Sequence, residues 1–163
     1  MPRQVNNATL ELVRSFEGLY LEAYRDEAGV WTIGYGHTGF DIAGGAVKPG
    51  RKLADENEAL AILRVDLDNV AKDVEKLLLI RPKAELNDNQ FGALVSFAFN
   101  VGIGNLEKSA LLRRLNGRDY LGTIPEFAKW NRCNGKVLRG LTRRRNAEAA
   151  LFCSFPPPVI SAS

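Results

Sequence analysis

The chain has 163 residues, which is enough for one well-packed core or for two lobes that share a helix. Its hydrophobic fraction of 45%, charged fraction of 25% and net charge of only +3 are those of an ordinary folded protein. The sequence contains no run of about eighteen apolar residues, so it predicts no membrane-spanning helix. Two cysteines are too few for a disulfide scaffold, and with a single histidine they are too few for a structural zinc site.

The first predicted element is an amphipathic helix over residues 7–16. Apolar residues recur there at helical spacing, and Asn6 or Asn7 is expected to be its N-cap. Gly18 is expected to stop the helix, which leaves Glu17 at its C-terminal end.

A strand pattern follows. Between residues 21 and 40, aromatic and β-branched residues alternate with glycines, which predicts short antiparallel strands joined by tight turns. The pairs Gly44-Gly45 and Pro49-Gly50 are expected to close this small lobe.

A long helix is predicted over residues 55–79, where Asp55-x-x-Glu58 resembles a capping box. At 1.5 Å per residue it would be roughly 37 Å long, enough to link two lobes. Pro82 is expected to end it or to force a break. One face carries a run of apolar side chains, namely Leu60, Leu63, Leu67, Val70, Val74 and Leu77.

The second half of the chain is predicted to be helical. Asn87-x-x-Gln90 predicts the start of a phenylalanine-rich helix that stops near Gly102 or Gly104. Shorter helices are predicted over 107–115, 125–130 and 139–152, and Pro156-Pro157-Pro158 predicts a loose tail.

The fold class is therefore α+β and mostly helical. We expect a single domain over residues 1–163, in which a small β-containing N-terminal lobe is joined by a long helix to a larger helical lobe. The expected sub-lobes cover about 18–54 and 80–155, the second together with the N-terminal helix 7–17, and helix 55–79 links them.

Three residues near the N-terminus carry the chemistry. Glu17 and Asp26 are two carboxylic acids, and the hydroxyl of Thr32 follows six residues after the second. Hydrolysis of a glycosidic bond typically requires two carboxyl groups, one on each side of the bond. One must stay protonated to donate to the leaving oxygen, while the other stays ionised.

The spacing of Glu17, Asp26 and Thr32 resembles the signature of the phage T4-type lysozymes, or endolysins, of glycoside hydrolase family 24. The resemblance implies a lysozyme-like fold with a cleft between the lobes. It also implies hydrolysis of the β-1,4 bond between N-acetylmuramic acid and N-acetylglucosamine in peptidoglycan, which causes host lysis. It covers roughly residues 7–153 and is strengthened by Glu22-Ala-Tyr-Arg-Asp, Thr32-Ile-Gly-Tyr-Gly-His-Thr-Gly, Phe97-Ala-Phe-Asn-Val-Gly, Lys129-Trp-Asn and the segment 137–148.

The resemblance also implies roles for the three residues. Glu17 is the expected general acid, partly buried in apolar surroundings, and Asp26 positions or activates water on the opposite face in an inverting mechanism. Such a mechanism has its carboxyl groups roughly 6.5–9.5 Å apart. Thr32 is expected to hold the attacking water in line. The alternatives are a solvated glutamate, a turn-forming aspartate and an ordinary strand threonine.

Other positions are weaker candidates. The resemblance implies a structural ion pair between His37 and Asp66 on the long helix. Asn100, Trp130 and Arg143 are candidate substrate-binding residues, because sugar rings stack on aromatic faces and amides grip N-acetyl groups. A core tryptophan and a solvated helix face remain alternatives.

Basic residues concentrate in the second half of the chain. Between Lys108 and Arg145 there are eleven bases and two acids. A basic surface attracts polyanions without specifying any of them, so weak contact with an anionic envelope and a merely solvated face both remain open.

Three other functions remain as alternatives. One is a cysteine amidase or peptidase that uses Cys133 or Cys153 with His37. Another is a non-catalytic binder of glycan or nucleic acid, although an intact Glu17, Asp26 and Thr32 set argues against it and nucleic acid is not an expected partner. Transglycosylation to an anhydro product also stays open.

The location follows from the N-terminus and from the resemblance. Met1 to Asn7 lacks the apolar core and cleavage site of a signal peptide, so we expect a chain without a membrane anchor that begins in the host cytoplasm. The resemblance implies a monomer that reaches the periplasm and cell wall after a holin permeabilises the membrane. Acid–base hydrolysis of this type needs no metal or organic cofactor.

Overall fold

The computed structural model describes residues 1–40, 45–80 and 85–155. The expectations for Gly44, Pro82 and the three prolines 156–158 lie outside these residues. The elements in chain order are α1 (Asn7–Phe16), β1 (Tyr20–Arg25), β2 (Trp31–Gly34), β3 (His37–Thr38), α2 (Glu56–Leu77), α3 (Asp88–Val101), α4 (Ile103–Lys108), α5 (Ala110–Asn116), α6 (Tyr120–Thr123), a 3₁₀ helix (Ile124–Lys129), β4 (Arg132–Cys133), β5 (Lys136–Val137) and α7 (Arg139–Phe152).

Helix α1 begins and ends as the sequence predicts. The side chain of Asn6 accepts a hydrogen bond from the amide of Thr9, which satisfies one of the free donors of the first turn. Glu17 has extended backbone angles (φ −97°, ψ 142°) and ends the helix one residue before Gly18. The acid therefore lies where the chain leaves the helix and enters the sheet.

Strands β1, β2 and β3 form an antiparallel sheet in that order. Tyr24 pairs with Thr32, and Ile33 pairs with His37. Successive side chains of a strand point to opposite faces. Since Ile33 is fully buried in the core, the side chains of Thr32 and Tyr24 lie on the face of the sheet turned away from it.

Helix α2 has 22 residues, so it is about 33 Å long. The predicted capping box is only half formed: the side chain of Asp55 accepts from the amide of Glu58, but Glu58 accepts from the amide of Ala54. The buried face is rotated from the predicted one, because Leu60, Val70 and Leu77 are only half-buried. The buried residues are Ala59, Ile62, Leu63, Leu67, Ala71 and Val74.

Helix α3 is the centre of the helical lobe. Its capping box between Asn87 and Gln90 is complete, and every residue from Phe91 to Ala98 is buried. It packs against α1, α2 and α7. It ends at Val101, because Gly102 adopts a positive φ of 95°.

The prediction of one helix over 107–115 was wrong. The chain forms α4 and α5 instead, with a break at Ser109. The hydroxyl of Ser109 donates to the carbonyl of Leu106 and accepts from the amide of Leu112, so the same side chain ends one helix and caps the next.

The segment 120–137 was predicted only in part. The helix expected over 125–130 is a 3₁₀ helix with a proline in its first turn, and α6 was not predicted. The hairpin of β4 and β5 was also missed, although Asn134 and Gly135 have the positive φ values (50° and 77°) that favour this dipeptide in tight hairpins.

One cluster of buried apolar residues extends from the sheet through α2 into the helical lobe. The fold class, α+β and mostly helical with a long connecting helix, is therefore confirmed. The limits given for the domain and its sub-lobes stay a prediction. Within residues 1–40, 45–80 and 85–155, no helix is both long enough and apolar enough to cross a membrane.

Candidate active site

Glu17 lies between the helical lobe and the sheet. Its Oε1 accepts a hydrogen bond from Nη1 of Arg144 in α7 at 2.7 Å. Its Oε2 faces the sheet, where a Cβ on Gly36 would be 3.8 Å away. The side chain is 23% exposed, so the carboxyl group is anchored on one oxygen and accessible on the other side.

The surroundings of Glu17 are ionic as well as apolar. The guanidinium of Arg144 lies 5.8 Å from the ring centroid of Phe16, and its side chain is only 4% exposed. Partial burial of Glu17 is confirmed, and the cation of Arg144 is an addition that the sequence analysis did not predict. The neighbouring cation fixes the carboxyl group through a charge-assisted hydrogen bond.

A buried polar network lies behind Arg144. Glu148 is fully buried and accepts from the hydroxyl of Ser96 (2.7 Å), from Nε of Arg144 (3.2 Å) and from Nη2 of Arg145 (3.1 Å). Burial raises the pKa of the Glu148 carboxyl against the opposing charges of both arginines. Arg145 also donates to Oδ1 of Asn100 at 2.8 Å. Asn100, expected to bind substrate, is therefore engaged by a buried arginine through its oxygen.

Asp26 and Thr32 are fixed to the backbone of the same residue. Oδ1 of Asp26 accepts from the amide of Val30 at 2.8 Å, and the hydroxyl of Thr32 donates to the carbonyl of Val30 at 3.0 Å. Asp26 thus forms the turn that was its alternative role. Its Oδ2 forms no hydrogen bond with residues 1–40, 45–80 or 85–155, so one oxygen is left for other contacts.

The phenol of Tyr24 is influenced by the charges of both Glu17 and Asp26. Its pKa is raised, first by burial and then by the negative charges of nearby groups, namely Tyr20, Asp26 and Glu17. Because Tyr24 pairs directly with Thr32, these two side chains share one face of the sheet. Thr32 therefore lies beside Tyr24, and the charges of Glu17 and Asp26 both act on the Tyr24 phenol.

His37 forms the predicted contact with Asp66. Its Nδ1 lies 2.8 Å and 3.0 Å from the two carboxyl oxygens, and its Nε2 lies 2.9 Å from the carbonyl oxygen of Phe40. The contact joins β3 to α2. Burial raises the pKa of Asp66, while the hydrogen bond and charge of His37 oppose this rise.

These contacts of His37 disfavour the alternative function of a cysteine amidase or peptidase. Cys133 and Cys153 are free and exposed, but both ring nitrogens of the single histidine are engaged. A thiol nucleophile needs an adjacent base with a nitrogen available to accept its proton.

The phage lysozyme family model matches residues 14–148. This chain belongs to the phage lysozyme family. It is 42% identical to the endolysin of Bacillus phage PZA and 41% identical to that of Bacillus phage B103, with 97% and 91% of this chain aligned. The chain spans only 58% and 53% of the length of these two relatives. The solved muramidase domain of SpmX from Asticaccaulis excentricus has a TM-score of 0.80 at 36% identity, covering 93% of this chain and 99% of that one.

The two remaining candidates from the sequence, Trp130 and Arg143, do not take part in the contacts of Glu17, Asp26 and Thr32 described above. Trp130 is half-buried and packs edge-on against Phe97, with ring centroids 5.5 Å apart. Arg143 is exposed on α7. Their substrate-binding roles stay predictions.

The sequence interpretation missed the residues that hold Glu17. It named Arg143, from the run of three arginines, only as a substrate-binding candidate and gave Glu17 no partner, whereas Arg144 contacts Glu17. The spacing of Arg144 and Glu148 at positions i and i+4 was the available signal, because such residues meet on one helix face.

Proposed function

We propose that this chain is an endolysin-type muramidase, which hydrolyses the β-1,4 bond between N-acetylmuramic acid and N-acetylglucosamine in bacterial peptidoglycan. One observation carries the proposal: Glu17 lies between the two lobes, with Oε1 held by Arg144 and Oε2 turned toward Gly36. The endolysin and muramidase names of the relatives support it. The proposal concerns the lytic activity of the segment that these relatives share.

In the proposed mechanism, Glu17 is the general acid. Arg144 occupies Oε1, so the transferable proton resides on Oε2, which faces the sheet side of the cleft. That proton passes to the glycosidic oxygen as its bond to the anomeric carbon breaks. The buried network behind Arg144 keeps the carboxyl group in one orientation, which lowers the cost of reaching the transition state.

Asp26 and Thr32 act on water in the same proposal. Water attacks the anomeric carbon from the face opposite the leaving group, and Asp26 takes the proton that the water loses. The hydroxyl of Thr32 orients this water, and its own position is fixed by the carbonyl of Val30. A single displacement of this kind inverts the anomeric configuration.

Purified peptidoglycan tests the proposal. Mass spectrometry of the soluble products distinguishes a reducing N-acetylmuramic acid end, expected for hydrolysis, from the anhydro end of a transglycosylase and from the free peptides of an amidase. NMR of the first product should show the α anomer if the mechanism is inverting. An anhydro or peptide product would overturn the muramidase assignment.

The variant Glu17→Gln gives the sharpest test of the acid. It keeps the shape and the contact with Arg144 but removes the transferable proton, so we expect activity below about a hundredth of wild type. Glu11→Gln is a matched control, because Glu11 lies in the same helix and its exposed carboxylate pairs with Arg14. Activity of Glu17→Gln above this level would reject the assignment.

We propose a cellular route that depends on a holin. The chain accumulates in the host cytoplasm as a monomer, and a holin gives it access to the periplasm and cell wall. Lysis on expression only when a holin is co-expressed would support this route, and light scattering would test the monomer. Acid–base hydrolysis needs no metal, so activity should survive treatment with EDTA.

A further inference from the structure

Strand β1 leaves an aromatic surface uncovered beside the candidate active site. A strand that packs one face on a core buries alternate residues, but none of the six residues of β1 is fully buried. Tyr20 is 47% exposed, and its neighbours Leu19 and Leu21 are exposed as well. The ring of Tyr20 is therefore available to a ligand.

The two tyrosines of this strand are stacked by an irregularity in the sheet. Residues four apart in a regular strand are separated by about 13 Å. In β1, however, Tyr20 pairs with Gly34 and Tyr24 pairs with Thr32. A step of four residues along β1 therefore corresponds to a step of only two residues along β2, so β1 is bulged between the two tyrosines. The ring centroids of the tyrosines are consequently 4.1 Å apart, with an angle of 33° between the planes.

This pair is fixed next to the candidate catalytic residues. Tyr24 shares a sheet face with Thr32 and lies within the electrostatic influence of Glu17 and Asp26. The ring of Tyr20 lies over Gly18, where a Cβ would be only 3.1 Å from its Cε2. The absence of a side chain directly after Glu17 therefore lets the ring approach the backbone there.

We propose that Tyr20 and Tyr24 form a saccharide subsite, in which one pyranose ring of the glycan strand stacks on the exposed face of Tyr20 beside the scissile bond. The inference rests on the proposed muramidase function. A pyranose ring has an apolar face of C–H groups that suits an aromatic plane, and its hydroxyl and acetamido groups suit the polar edge of a tyrosine. The subsite adds binding energy without taking part in proton transfer.

The test compares variants that keep a flat ring at position 20 with variants that remove it. Tyr20→Phe and Tyr20→Trp retain the stacking plane, whereas Tyr20→Leu keeps apolar bulk only and Tyr20→Ala keeps neither. Steady-state hydrolysis of suspended peptidoglycan should show an apparent KM about tenfold higher for the Leu and Ala variants and within about twofold of wild type for the Phe and Trp variants. Thermal midpoints should stay within about 3 °C of wild type, because Tyr20 is half exposed.

A matched control is Phe155→Ala, which removes an aromatic ring that is 86% exposed near the end of α7 and should leave KM unchanged. An apparent KM of Tyr20→Leu within twofold of wild type, in an active enzyme, would overturn the subsite alone. A wild-type chain that leaves peptidoglycan uncut would overturn the muramidase function and the subsite with it. Equal losses in the Phe and Leu variants would also reject stacking.

Discussion

The two walls of the candidate site are anchored by different kinds of buried ionic contact. On the helical wall, two arginines and Glu148 are almost completely buried, with side-chain exposures of 4%, 0% and 0%. On the sheet wall, the anchor is the contact of His37 with Asp66, which joins β3 to α2. Arginine stays charged at any pH that a folded protein meets, whereas burial raises the pKa of the Asp66 carboxyl. The helical wall therefore keeps two guanidinium groups beside its buried carboxyl, whereas the sheet wall has a single imidazole beside Asp66.

The largest expected effect comes from removing the support on the helical side. Arg144→Leu leaves Glu17 without its partner and Glu148 with one guanidinium instead of two. We expect the free energy of unfolding in urea to fall by about 3–5 kcal/mol and turnover to fall at least about a hundredfold.

Arg143→Leu is the matched control, because Arg143 is the exposed neighbour in the same helix. Its unfolding free energy should change by less than about 0.5 kcal/mol. A higher apparent KM in this variant would support the predicted substrate contact of Arg143. Equal destabilisation by the two substitutions would contradict the network described for Arg144.

A smaller effect on stability, with a large effect on turnover, is expected on the sheet wall. Thr32→Val loses one hydrogen bond to the carbonyl of Val30, which is worth about 1 kcal/mol. Turnover should fall about a hundredfold, because the attacking water loses its orienting hydroxyl. Thr142→Val, which loses a similar bond to the carbonyl of Leu138, should leave turnover unchanged. Normal turnover in Thr32→Val would remove this residue from the mechanism.

The smallest expected effect is a pH dependence of the sheet anchor. The carbonyl of Phe40 can only accept, so Nε2 of His37 carries hydrogen and a further proton lies between Nδ1 and Asp66. Burial raises the pKa of Asp66. A carboxyl group whose pKa is higher in the folded state contributes stability that is fully present below its unfolded value of about 3.9 and is lost as pH rises through the folded value.

The variant Asp66→Asn no longer needs the shared proton, because the side-chain amide itself donates a hydrogen bond to Nδ1 of His37. The unfolding free energy of the wild type relative to Asp66→Asn should therefore decline by about 1 kcal/mol or less as pH rises from about 3 to 7. Urea midpoints measured across this range give the difference directly. A constant difference, or one that grows with pH, would contradict the proton-sharing arrangement.

Sequence patterns predicted the structure correctly where the local signal and the tertiary structure agree. The end of α1 at Glu17 and the complete cap at Asn87 followed from short-range spacing, whereas the association of Asp26 with Thr32 was implied by the family resemblance. The break at Ser109 was missed because the flanking residues favour helix, and only the double role of the hydroxyl ends it.

The support of Glu17 was harder to predict, because it depends on helix phase and on distant contacts. Three consecutive arginines have the same local propensity, and only the docking of α7 against α3 decides that Arg144 and Arg145 face inward while Arg143 faces solvent. The stacking of Tyr20 on Tyr24 likewise depends on an irregular register that no alternation of residue types indicates.

Glu17 and Arg144 are 127 positions apart in the sequence, which has a consequence for synthesis of the protein. A ribosome releases α1 and the sheet long before it translates α7, so the nascent chain already carries both acids but not the cation that orients the first of them. The candidate site is completed only when α7 docks. Products of premature termination before residue 144 therefore contain the motif in an unassembled form.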